Sequence, residues 1–158
     1  MLVAVAVGFL TATAGLVPLA CGGSGGSGGE QASAELSALK ADPLGRYEPD
    51  GAELVRTDEQ NAGTTLGKPF QARYDRLFEL PEGDPEQQLQ AALDAATDAG
   101  WASEGSVFRV SGTLAQSGTK QLSTGPAGMT LTLFVDGTTL GDRASAPALL
   151  VSLRHLSA

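Results

Sequence analysis

The first thirty residues constrain this chain most, because they combine an apolar run, a single cysteine and a glycine–serine stretch. Residues 1–20 contain no charged side chain, and Cys21 follows them directly. A run of this length is close to the roughly 20 apolar residues that cross a hydrocarbon core, and it also suits a secretory leader that ends in small residues. The sequence therefore predicts an exported protein, with residues 1–21 as a signal peptide that ends in Cys21.

The residues around Cys21 make it a candidate lipidation site. Ala20 and Cys21 resemble the lipobox of bacterial lipoproteins, in which a small residue precedes a cysteine that is acylated and becomes the mature N-terminus. Pro18 stands where a lipobox usually has leucine, and no Lys or Arg precedes the apolar run. The alternative interpretation is an uncleaved signal-anchor helix. We favour lipidation, because Cys21 is the only cysteine and a disulfide within the chain is excluded.

Glycine and serine alone make up residues 22–29, which predicts a tether. Such chains behave as random coils, and eight residues span about 16 Å on average. We expect residues 22–41 to form this tether and a short helix over 33–41, with Ser33 as its N-cap. Residues 42–158 are then predicted to form one domain.

The charge of the chain excludes some partners. Its formal net charge is −8, and the first charged residue is Glu30, so all of the charge lies beyond the leader. An acidic domain is a poor match for nucleic acid, whose phosphates attract Lys and Arg. We also expect repulsion between this domain and anionic lipid headgroups.

The sequence specifies one helix especially well, over residues 85–98. Asp84 is the predicted N-cap, with proline at the first helical position and Gln87 completing a capping box. Gly100 suits the left-handed position after the helix, and Trp101 suits the hydrophobic contact that follows. Apolar residues recur at helical spacing between these ends: Leu89, Ala92, Leu93 and Ala96.

Alternating apolar and polar residues predict several strands around this helix. The segments are 52–56, 70–80, 107–115, 120–123, 129–135 and 148–156. Turns are predicted at Ser117 with Gly118 and at Asp136 with Gly137, and loops over 57–69, 124–128 and 141–147. The fold class that follows is α+β: an antiparallel sheet of about four to five strands with one well-capped helix packed on one face, plus a short N-terminal helix.

No recognisable catalytic constellation emerges from the sequence. His155 is the only histidine, and no Gly-x-Ser-x-Gly motif supplies a nucleophile for it, so we interpret it as structural. A single histidine and a cysteine assigned to lipidation leave only carboxylates as metal ligands, and we predict no metal and no cofactor. Asp136 could begin a calcium loop, but the rest of that motif is missing.

Carboxylates and aromatic residues give two further candidates. A pair of carboxylates can hydrolyse glycosides, and four lie close together in the sequence: Glu79, Glu82, Asp84 and Glu86. Asp84 and Glu86 already suit the N-terminus of the helix, so a structural interpretation is favoured. Three aromatic residues could line a cleft, but they are better explained as core residues: Tyr74, Trp101 and Phe108.

Short stretches between residues 42 and 101 are similar to small exported proteins of actinobacteria. They include Asp42-Pro43-Leu44 with Tyr47, the run Gly51-Ala52-Glu53-Leu54-Val55, and Ala99-Gly100-Trp101 at the end of the helix. The resemblance implies an exported lipoprotein and no particular activity. We expect a membrane-anchored, non-enzymatic domain that binds a protein or small molecule at the cell surface. The alternatives are a small carboxylate-dependent hydrolase of envelope polymers and a structural envelope protein.

Overall fold

A computed structural model describes residues 27–136 and 147–156 of the chain. The predicted signal peptide over 1–21 with Cys21, the tether residues 22–26, Gly137 of the predicted turn and residues 141–146 of the loop predicted over 141–147 lie outside the described residues. Within the described part of the chain, no helix is long and apolar enough to cross a membrane.

A six-stranded antiparallel sheet forms the body of the structure, in the order β1-β4-β8-β7-β6-β5. A separate two-stranded hairpin, β2–β3, is inserted between β1 and β4. The class α+β is confirmed, with more strands than predicted. In chain order the elements are α1 (Ser27–Ala41), a 3₁₀ turn (Leu44–Arg46), β1 (Glu53–Gln60), β2 (Gly63–Thr65), β3 (Lys68–Phe70), β4 (Arg73–Glu79), α2 (Pro85–Asp98), β5 (Ala102–Val110), β6 (Thr113–Leu122), β7 (Gly125–Phe134) and β8 (Ala148–His155).

Both helices cover the same face of the sheet, and the main core lies beneath them. Alternate residues of the central strands point into this core, as strand geometry requires. They include Phe78, Leu114, Met129, Leu131, Leu133, Leu149, Val151 and Leu153. The other face, called the open face below, carries only a small apolar cluster built on Leu77 and Ala148. This asymmetry explains why apolar and polar residues alternate along the strands, which are not continuously apolar.

Helix α2 confirms the predicted N-cap at Asp84 and the predicted end at Gly100, but the capping-box bond expected of Gln87 does not form. The Asp84 carboxylate accepts a hydrogen bond from the Glu86 amide at 2.9 Å, and Gly100 has a φ of 86°. The Trp101 amide donates to the Ala96 carbonyl at 2.9 Å, which closes the helix with a Schellman-type bond. The predicted apolar face is buried at Leu89, Ala92 and Ala96, whereas Leu93 is only half-buried.

Helix α1 is longer than predicted. It begins at Ser27 rather than at Ser33, and it therefore includes the last glycines of the predicted tether. Leu36 and Leu39 belong to the same core as the sheet. Packing of these leucines stabilises a helix that its own sequence does not favour, because most helical stability in proteins comes from tertiary contacts. The folded unit thus extends back to include α1.

The region between residues 57 and 80 differs from the prediction. The predicted loop contains half of β1 and nearly all of the β2–β3 hairpin, and the predicted strand over 70–80 is divided between β3 and β4. Arg76 interrupts the apolar face of β4, and a bulge in the paired strand β1 lies close by, between Leu54 and Arg56. Arg76 is buried, its guanidinium donates to the Tyr47 carbonyl and the Glu48 carboxylate at 2.8 Å each, and it lies 4.7 Å from the centre of the Phe78 ring. An arginine whose guanidinium is hydrogen-bonded can therefore occupy a core position of β4.

Strand pairing between residues 102 and 134 also corrects the prediction. The turn lies at Ser111 and Gly112, with φ values of 45° and 74°, while Gly118 pairs with Met129 in the middle of β6. The predicted loop over 124–128 is instead the beginning of β7. The prediction that Phe108 belongs to the core is wrong, because its strand leaves it 67% exposed on the open face.

Asp42, just after α1, joins three parts of the chain. One oxygen of its carboxylate accepts from the Leu44 amide at 2.9 Å and from the Trp101 indole N–H at 3.0 Å. The Lys120 ammonium donates to the other oxygen and to the Ala99 carbonyl, both at 2.5 Å. The Asp42 side chain is 1% exposed. Because the surroundings are poorly solvated, these bonds are strong and costly to leave unmade.

We expect Asp42→Ala to lower the free energy of unfolding by about 3–5 kcal/mol, since it removes the carboxylate partner of a partly buried ammonium and an indole N–H. Urea denaturation measures the change. Asp98→Ala removes an exposed carboxylate from the end of α2 and should change stability by about 0.5 kcal/mol or less. Equal unfolding midpoints for the two variants would contradict this role for Asp42.

Candidate functional site

Strand β5 forms an edge of the sheet and is exposed along its whole length. It pairs with β6 on one side, and no described strand pairs with its other side. Five large apolar residues are exposed in the described part of the chain, and three of them lie on β5: Val107, Phe108 and Val110. Free backbone groups beside exposed apolar side chains are the features that invite pairing with another chain.

A bulge shapes this edge. Glu104 pairs with Ser117 and Phe108 pairs with Ala115, so three residues of β5 lie opposite the single residue Gln116 of β6. The buried Gln116 amide fills the gap and donates to the Glu104 carbonyl at 2.9 Å. Gly105 reaches a φ of 72°, which glycine adopts without the penalty of a Cβ atom. The bulge is therefore built into the fold, and it sets which face each following residue of β5 occupies.

A groove of about 270 Å³ separates β5 from α2. Its apolar lining comes from Leu89 and Leu93 of the helix and from Val107 and Leu114 of the strands. The Glu86 carboxylate and the Arg109 guanidinium form an ion pair of 2.9 Å among the lining residues. An edge strand next to such a groove offers backbone hydrogen bonds and a pocket for a side chain at the same place.

A second groove, of about 450 Å³, lies between α2 and the segment that precedes β1. It is lined by Tyr47, Glu48, Asp50, Gln87, Gln88 and Ala91. Burial raises the pKa of the Tyr47 hydroxyl above its ordinary value, and the negative charges of Asp50 and Asp94 act in the same direction. The groove therefore brings together two carboxylates and a phenol that remains protonated at neutral pH.

The structure places His155 in contact with three elements. Its Nε2 lies 3.0 Å from the Thr124 carbonyl oxygen, and its Nδ1 lies 3.7 Å from the carboxylate of the buried Glu35 on α1. A Cβ atom on Gly125 would lie only 3.0 Å from the ring, so the imidazole packs directly on the backbone of β7. These contacts hold α1 against the end of β8, as expected of a structural residue.

A serine and a carboxylate are hydrogen-bonded to each other on the open face. The Ser152 hydroxyl donates to the Asp75 carboxylate at 2.7 Å, and Arg73 also pairs with that carboxylate. Because successive residues of a strand alternate between faces, Ser152 and His155 lie on opposite faces of β8. The only histidine of the chain therefore cannot complete a triad with this pair.

The four carboxylates singled out in the sequence are not brought together as a site. Glu79 pairs with Ala148 and Glu53 in the sheet, Glu82 is exposed in the bend before α2, Asp84 caps α2, and Glu86 is paired with Arg109. Nowhere in the described residues do three or more His, Cys, Asp or Glu side chains form a group that could hold a metal ion. Sequence reasoning missed the groove carboxylates Glu48 and Asp50, because the turn-rich segment that carries them gives no sign of facing α2.

Comparison with known proteins adds no family to these observations. No protein-family model, no curated protein and no solved structure matches this chain.

Proposed function

We propose that this protein is a lipoprotein anchored through Cys21 on the extracytoplasmic side of the membrane, and that its domain binds a partner without catalysing a reaction. The observation that carries the binding function is the β5 edge, where Val107, Phe108 and Val110 are exposed beside free backbone groups. Monomeric proteins seldom leave such an edge uncovered unless another chain binds it. The leader and Cys21 support the location.

Strand addition is the mode of binding that this edge favours. An extended segment of the partner pairs with β5 and places one apolar side chain in the groove between β5 and α2. Helix α2 carries Glu86, Asp94 and Asp98 and no basic residue, so the field beside the groove attracts a basic segment. A second copy of the chain would bring the same acidic helix and a net charge of −8, which opposes pairing of two β5 edges.

A carboxylate-dependent hydrolase of envelope polymers is the second candidate, and the groove that contains Glu48 and Asp50 favours it. Glycosidic hydrolysis requires one carboxyl group as an acid and one as a nucleophile or base. Here Glu48 is already paired with the Arg76 guanidinium at 2.8 Å. The ion pair engages one of the two carboxylates of this groove in a structural contact. This contact supports binding over catalysis.

The β5 edge can be tested by photo-crosslinking in the host cell envelope. A photoreactive amino acid replaces Phe108, and in a matched control it replaces Leu54, which is 44% exposed on the opposite edge strand β1. We expect the Phe108 position to yield a discrete envelope adduct that the Leu54 position does not. Val107→Asn should reduce this adduct about tenfold, because it makes the groove polar. Identical adduct patterns at both positions would argue against β5 as the binding surface.

Mass spectrometry of the mature N-terminus tests the anchor. We expect an acylated Cys21 after removal of residues 1–20, since two or more acyl chains hold a protein stably at a membrane. Cys21→Ser should block processing, because the hydroxyl cannot replace the thiol that accepts the lipid. A mature protein that begins at Met1 would show a signal-anchor helix instead, and normal processing of the variant would exclude the lipobox.

An enzymatic assay separates the two candidate functions. We expect the full chain to release no soluble fragments from purified cell-wall polymers, since the carboxylate of Glu48 is engaged by Arg76. Glu48→Gln and Asp50→Asn serve as the diagnostic variants, with Glu82→Gln as a control at an exposed carboxylate outside the groove. Release that is lost in both groove variants and kept in the control would favour the hydrolase over the binding domain.

A further inference from the structure

The β2–β3 hairpin presents a leucine to solvent. Leu66 is 97% exposed at the tip, where Leu66 and Gly67 form a two-residue turn with φ values of 51° and 75°. Positive φ at both central residues is the type I′ arrangement, which favours asparagine, aspartate or glycine at the first position. Leucine there is both strained and fully exposed, so local stability does not explain it.

The hairpin lies at the end of the domain that is attached to the tether. It is inserted between Gln60 and Arg73, which pair with each other at the ends of β1 and β4. The first turns of α1 lie beside β2, and Gly29 and Gly63 line the same cavity of about 400 Å³. An extended chain covers about 3.5 Å per residue, so Ser27 is within roughly 20 Å of Cys21. The hairpin is therefore close to any membrane in which Cys21 is anchored.

Basic residues accompany Leu66 at this end. Lys68 follows the turn and is exposed, and Arg154 lies opposite Arg73 on the neighbouring strand β8. Arg73 is paired with Asp75, and Glu30 is an exposed acidic residue of the first turns of α1. Basic side chains near a surface are attracted to anionic headgroups. An exposed leucine with Lys68 two residues away suits the boundary between headgroups and acyl chains.

We infer that the β2–β3 hairpin inserts Leu66 into the interfacial layer of the bilayer that holds the Cys21 anchor, with Lys68 and Arg154 against lipid phosphates. This inference rests on the lipid anchor proposed above. The contact orients the domain rather than adding a second anchor, because a single leucine buries little apolar area.

The orientation has a consequence for the proposed binding edge. The sheet order places β5 at the opposite edge from β1, about 24 Å away at roughly 4.8 Å per strand. With the hairpin at the membrane, the acidic remainder of the domain is repelled by anionic lipid, and β5 stays accessible to a partner. The net charge of −8 therefore opposes lipid contact for the domain as a whole but not at this tip.

Fluorescence quenching in vesicles tests the inference. The full chain is expressed with acylated Cys21 and reconstituted into vesicles of phosphatidylcholine and phosphatidylglycerol that contain brominated acyl chains. We expect the added indole of Leu66→Trp to be quenched by the bromine atoms and to shift its emission to shorter wavelength. The matched control is Leu54→Trp, on an exposed apolar position of β1, and its indole should show no quenching. The native Trp101 is buried and gives the same background in both variants.

The outcomes separate this inference from the proposed anchor. If the acylated protein floats with the vesicles but the indoles of the two variants are quenched equally, the hairpin contact is overturned and the anchor stands. If Cys21 carries no lipid and the chain does not float, both are overturned. Lys68→Gln with Arg154→Gln should reduce the quenching of Leu66→Trp in vesicles with phosphatidylglycerol and leave it unchanged in phosphatidylcholine alone.

A final variant separates function from stability. Leu66→Asn places the residue that a type I′ turn favours, and it should raise the melting temperature of the domain. The same variant should fail to insert. Hydrogen exchange at the hairpin amides measures this, because adding vesicles should then no longer increase their protection. A variant that is more stable and still gains the full protection from vesicles would overturn the role of Leu66.

Discussion

The buried carboxylate of Asp42 is the interaction on which the arrangement of helices and sheet depends. It accepts hydrogen bonds from the chain just after α1, from the turn that ends α2, and from β6. Because all three contacts converge on one buried group, neither helix can shift over the sheet without leaving a charge or an indole N–H unsatisfied. Asp42 thereby fixes the position of α1, and with it the place where the first turns of α1 meet β2.

The two edge strands of the sheet, β1 and β5, differ in the side chains that they expose. Strand β1 has exposed ion pairs around it, Arg56 with Asp58 and Lys40 with Glu59, and charges of this kind discourage pairing with another chain. Strand β5 instead exposes apolar side chains next to a groove, and its bulge is held by Gln116. The contrast supports the proposal that β5 is the edge that binds a partner and that the hairpin beside β1 faces the membrane.

Local rules of stability fail at the places to which we assign function. Leucine at a type I′ turn and phenylalanine on an exposed edge strand each cost stability or solubility. Elsewhere local sequence and tertiary structure agree, as in the caps of α2 and the alternation of β7 and β8. Residues that violate a local rule without a compensating contact are expected at functional sites rather than in the scaffold.

Sequence alone determined the apolar run before Cys21, the α+β class, helix α2 with both of its ends, and the inward residues of β7 and β8. These features depend on neighbours within a few residues, which a pattern of caps and periodicity records. The tertiary structure decided which Ser-Gly pair forms a turn, since Ser111 and Gly112 were not distinguishable from Ser117 and Gly118 until β6 found its register with β7. It also decided that Phe108 is exposed and that Asp42 meets Lys120, because those outcomes depend on a bulge and on a contact across 78 residues of chain.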